Sequence, residues 1–127
     1  MAYPIRAWLD AFAFTQVVEV PVYVLAMRHA LGAGRARWPR TPEIQILVAF
    51  GASAITHPMV WYVIPRVAWG SYAGYVIAAE TFAVLVEAFY FRSLHIVFSR
   101  RAFVWALVAN ALSAGLGSAC RALFGWP

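Results

Sequence analysis

Three acidic residues of this 127-residue chain, Glu19, Glu80 and Glu87, fall deep inside long apolar runs. Glu80 and Glu87 are seven residues apart, close to two helical turns, so both project from one face with Ala83 and Val84 between them. A charged carboxylate at membrane depth is costly. It faces a bundle interior, finds a partner or keeps a proton, which makes it a functional hypothesis by default. Elsewhere, Ser53, Thr56, His57 and Trp61 share one face by three- and four-residue spacing, and Pro58 frees the carbonyl of Ala54. Glu19 belongs to a polar stripe with Thr15, Gln16 and Tyr23, and Pro21 frees the carbonyl of Val17 within a turn of it. Asn110, in the last apolar run, adds an amide.

Two kinds of chemistry suit these groups. A histidine facing a carboxylate in a low-dielectric site is the arrangement of a proton relay, and acids at several depths offer a proton or cation stepping places. Alternatively, Glu19, Glu80 and Glu87 with His57 offer three oxygen donors and one nitrogen to a divalent metal ion such as manganese, iron or zinc. The metal pattern is incomplete. The chain has no Glu-x-x-His pair and no HExxH, and His95 belongs near the opposite side from His57. Ser53 lies four residues from His57, but no Gly-x-Ser-x-Gly elbow accompanies it. The expected function is binding or conduction of a cation or proton within the bilayer by Glu19, His57, Glu80 and Glu87, supported by Gln16, Tyr23, Ser53, Thr56 and Asn110. An accessory or assembly subunit of a larger membrane complex is the alternative, and a membrane-embedded metal-dependent enzyme the next.

The elements that must position these residues are membrane helices. The chain is 64% hydrophobic and 12% charged, against about 45–50% and about 25% in soluble domains. Apolar runs of about 20 residues, the length that crosses a hydrocarbon core, cover approximately 8–27, 44–65, 72–91 and 102–124. The connection Arg28–Arg40 carries four arginines and two glycines, and Thr41, Pro42 and Glu43 form a helix start with an N-cap hydroxyl, a first-turn proline and an acid at the positive end of the dipole. After Arg92 the sequence stays helix-compatible as far as Ser99, which places His95 at an interface. The fourth run repeats small residues every four, at Ala106, Asn110, Ala114 and Ser118, a stripe that lets helix backbones approach closely.

Short connections make sequential helices antiparallel neighbours, so the expected fold is an all-α integral membrane protein, a single domain built as an up-and-down bundle of four transmembrane helices. The first and third connections, with their helix ends, hold Arg28, Arg35, Arg37, Arg40, Arg92, Arg100 and Arg101, whereas Arg6, Arg66 and Arg121 lie at the other end. Seven against three points to a multi-pass protein of the cell membrane with both termini outside the cytoplasm. The net charge of +5 sits at the ends of apolar runs, which suits lipid headgroups and excludes nucleic acid as a partner. Expected partners are the lipid bilayer and either further copies of the chain or other membrane subunits. Cys120 is a single cysteine, read as a packing residue, and the first run is read as a retained helix because Asp10 and Glu19 interrupt it. Counting about 1.5 Å per residue from the span ends sorts the polar groups into two levels, His57 with Glu80, and Glu19 with Glu87 and Asn110.

Overall fold

The computed structural model describes residues 5–67, 70–96 and 100–126. Four helices, α1 (Ile5–Gly32), α2 (Pro42–Tyr62), α3 (Tyr72–Ser93) and α4 (Arg100–Phe124), form an up-and-down bundle, and each is long and apolar enough to span a membrane. The helices form a closed ring in which α1 packs on α2, α2 on α3, α3 on α4, and α4 back on α1. Most large apolar side chains, among them Val17, Leu25, Leu47, Ile77, Leu85 and Leu107, point outward. Lipid rather than water is the solvent such a surface requires. The interior is built instead from alanines, hydroxyls, carboxyls and a few aromatic rings.

The element boundaries depart from the expected spans at several ends. Helix α1 continues to Gly32, so Arg28 and His29 belong to its last turns. Nothing breaks the helix before Gly34, whose φ of 68° turns the chain, while the amides of Arg35 and Ala36 close onto the carbonyl of Ala30. Thr41 has extended N-cap dihedrals and Pro42 follows it, but the Thr41 hydroxyl makes no capping bond; its carbonyl accepts from Gln45 N. Helix α2 ends at Tyr62, followed by a 3-10 turn at Ile64–Arg66, because Pro65 disfavours helical geometry in the residue before it. Ser71 caps α3 by accepting from Gly74 N at 3.0 Å. Helix α3 stops at Ser93, short of the extension towards Ser99, and His95 takes a positive φ of 55° in the turn that follows. Val97–Ser99, on which that extension would run, lie outside the described residues.

The end carrying the first and third connections is packed shut. Tyr23, Met27, Ala30, Ala36, Val48, Ala49, Ala52, Phe91, Ile96, Ala102 and Ala109 form one buried apolar cluster. The first connection is tied into it through Gln45, whose amide donates to the Pro39 carbonyl (3.0 Å) and accepts from Arg28 Nε (3.2 Å). Gly51 supplies a close approach of α2 to α3: Tyr90 donates to the Val48 carbonyl at 3.0 Å, and a Cβ on Gly51 would stand 2.6 Å from the Tyr90 hydroxyl. Gly51→Ala is expected to destabilise the bundle by about 1–3 kcal/mol despite the better helix propensity of alanine. Tyr90→Phe removes the clashing atom. In a double-mutant cycle on the detergent-solubilised protein, the alanine adds no further cost in the Tyr90→Phe background.

Candidate functional site

Halfway along the bundle the interior changes from apolar to polar, and the change is centred on two carboxyls. Glu87, on α3, is 1% exposed and receives three hydrogen bonds, each from a different helix. Tyr23 Oη of α1 donates to Oε2, Asn110 Nδ2 of α4 donates to the same oxygen at 2.7 Å, and Thr56 Oγ1 of α2 donates to Oε1 at 2.7 Å. Glu19, on α1, is equally buried. Ser53 of α2 donates to its Oε2, and Ser113 of α4 donates to its Oε1 at 2.6 Å. Because Ser53 and Thr56 are one helical turn apart, as are Asn110 and Ser113, the two carboxyls occupy a single polar layer that ties all four helices together.

Every donor in this layer is uncharged: three aliphatic hydroxyls, one phenol and one amide. They satisfy carboxyl lone pairs but supply no positive charge. Two carboxylates held side by side out of water require a proton or a cation to balance them.

Above this layer, towards the end that carries the chain termini, lies a cavity of about 360 Å³. Glu19, Glu87, Asn110 and Ser113 form its floor, with Thr56 beside them. Glu80, half-buried one level higher on α3, lines its wall together with His57. Aromatic side chains complete the upper part: Phe14, Trp61, Tyr72 and Tyr75. Exposed Tyr72, Ser118 and Arg121 stand at the outer end. Among the described residues the opposite end of the bundle is filled by the apolar cluster, and the cavity lining lies on the side of the chain termini.

The expected level containing Glu19, Glu87 and Asn110 is present, and Tyr23 joins it. Ser53 and Thr56 belong to that lower level too, although they share a helix face with His57. The other expected pairing is different. His57 packs its ring against Trp8, Phe12 and Trp61, and its Nδ1 has no hydrogen-bond partner among the described residues. It shares the cavity with Glu80 without being joined to it through that nitrogen. Gln16 is placed away from the cavity lining, and neither polar atom of its amide has a partner among the described residues.

Two structural observations bear on the ligand readings. Val17 and Pro21 are both exposed on the outer face of α1, so the carbonyl freed by the proline lies on the lipid side rather than beside Glu19. Among the described residues no three His, Cys, Asp or Glu side chains stand where they could hold one metal ion. The set Glu19, His57, Glu80 and Glu87 is spread along the cavity instead, since seven residues of α3 separate Glu80 from Glu87 by about 10 Å of axial rise.

No family model, curated protein or solved structure matches the chain. The functional reading therefore comes from the geometry of this site. Ser113 joins the site although it was not among the expected site residues. It lies one turn after Asn110 on the same strip of α4, and that spacing was the available signal. The small-residue stripe of α4 faces inward as well: Ala106 and Asn110 are buried in the bundle, and Ala114 and Ser118 line the cavity. Its close approach is used within the chain.

Proposed function

We propose that this four-span membrane protein binds a cation or a proton in a membrane-embedded cavity, with Glu19 and Glu87 at its floor and Glu80 on its wall. The observation that carries this reading is the pair of deeply buried carboxyls whose hydrogen-bond donors are all uncharged. A site of this kind demands positive charge, and the cavity provides a route for it. With the arginine-rich connections in the cytoplasm, the cavity faces the non-cytoplasmic side. Closure of the far end favours binding from one side over continuous conduction.

Infrared spectroscopy of the purified chain in lipid nanodiscs tests the reading directly. Titrating the sample with alkali and with inorganic cations is expected to convert carboxylic-acid C=O absorption into carboxylate bands. Part of that change disappears in Glu87→Gln and part in Glu80→Gln. A spectrum whose carboxyl bands stay unchanged across proton and cation titration would sink the proposal, because it would make the polar layer a purely structural cross-link.

The assembly reading drew on the stripe Ala106, Asn110, Ala114 and Ser118, on the small extramembrane mass and on polar residues that hydrogen-bond between helices. With that stripe turned inward, no specific observation favours it over cation binding.

A further inference from the structure

The floor of the cavity explains a demand for positive charge; its walls carry information about shape. Beside its carboxyls and hydroxyls the cavity is lined by Phe14, His57, Trp61, Tyr72 and Tyr75, ring surface for which a proton or an inorganic ion has little use. Aromatic faces attract cations through the ring quadrupole, and they do so best for organic ammonium groups whose hydration is weak. The volume of about 360 Å³ lies at the lower end of the range for small-molecule pockets, about 300–1,000 Å³. His57, 8% exposed, lines the same cavity and lays its ring nearly parallel to that of Trp61.

We infer that the cavity is a binding site for a small organic ammonium ion bearing an aromatic or branched apolar substituent. The ammonium group sits against the Glu80 carboxylate, and the substituent lies among Trp61, Tyr72, Tyr75 and Phe14. The inference rests on the cation-binding reading and specifies its ligand. Glu80 is the charge partner rather than Glu19 or Glu87, because the oxygens of the deeper pair are already engaged by five donors. Arg121 is at the outer end and exposed, where water and salt screen its repulsion of an entering cation. Aromatic contact and a carboxylate act on the same molecule only if it is both cationic and apolar. Selection for that combination is the property to measure.

Benzyltrimethylammonium is a suitable probe, since it is permanently charged, and neopentylbenzene is its neutral counterpart of similar shape. Isothermal titration of the full chain in nanodiscs is expected to show saturable one-site binding of the ammonium compound, at least about tenfold tighter than that of potassium ion or neopentylbenzene. Glu80→Gln lowers the affinity by about tenfold or more. Tyr72→Ala, at a position exposed enough that folding is not at stake, lowers it several-fold, while Leu85→Ala on the lipid face leaves it unchanged. Equal binding of the neutral compound would overturn the inference by making the cavity a simple apolar crevice. Equal or tighter binding of potassium, or no binding of the ammonium probe, would overturn it as well. If the infrared carboxyl response is present in that last case, the general cation or proton reading stands and only its organic ligand is lost.

Discussion

Glu87→Ala is expected to abolish recovery of folded protein, whereas Glu87→Gln folds. Truncation to alanine removes the shared acceptor of the Tyr23 phenol, the Thr56 hydroxyl and the Asn110 amide, all of them nearly inaccessible, and adds the space of the side chain to the cavity. Each stranded donor costs about 1–3 kcal/mol, so a loss of roughly 3–5 kcal/mol is expected after partial relaxation. The amide replacement keeps one oxygen, which accepts from Tyr23 and Asn110 in the place of Oε2. Its nitrogen then faces Thr56 Oγ1. That hydroxyl can accept from the amide and turn its own hydrogen to the Ser53 carbonyl, which stands 3.3 Å away. Glu87→Gln therefore preserves the cross-link to within about 1 kcal/mol while removing the ionisable group. Thermal unfolding in detergent, followed by size-exclusion chromatography, separates the two variants. If both unfold alike, the hydrogen-bond assignment at Glu87 is wrong. If both are as stable as the wild type, the four-helix cross-link contributes nothing.

The second large effect concerns α4. Ala106 is wholly buried, and its carbonyl accepts from Asn110 Nδ2 at 3.0 Å, so a larger side chain there pushes α4 away from the polar layer as well as from its neighbours. Ala106→Leu is expected to cost about 3 kcal/mol, at the upper end of overpacking penalties because close-packed backbones cannot move singly. Ala111 lies five residues away on the exposed side of the same helix. Ala111→Leu faces lipid and is expected to be neutral. The comparison is informative because composition, helix and substitution are the same in both variants. Comparable destabilisation at the two positions would contradict an inward-facing stripe, and loss of a co-purifying chain in Ala106→Leu without loss of stability would restore the stripe as a partner surface.

The polar layer and the outer cavity divide the work of the bundle. In most membrane helix pairs, polar side chains contribute modestly because the unassembled helices also find partners. Here a single carboxyl gathers donors from the three other helices. Its loss is felt by all of them at once, and its ionisation state is tied to the geometry of the whole bundle. Glu19 and Glu87 are both cavity floor and cross-link, so the proposed occupancy of the cavity would bear on helix packing through them.

Much of this organisation follows from the sequence alone. Four apolar runs separated by short arginine- and glycine-containing segments leave little choice but four antiparallel helices, because lipid tolerates only backbone satisfied within each span. Depth counting along those helices was enough to put Glu19, Glu87 and Asn110 at one level, since axial rise per residue is nearly constant. The rotation of each helix about its own axis is a different matter. Composition leaves it open in a membrane, where apolar residues on the lipid face and in the interior look alike. Helix rotation decided that Ser53, Thr56 and Ser113 serve the carboxyls, that His57 packs among Trp8, Phe12 and Trp61, and that the carbonyl freed by Pro21 faces outward. It also turned the α4 stripe into the bundle and left the space beside Glu80 lined by aromatic rings, features that depend on side-chain volumes from four helices meeting at once.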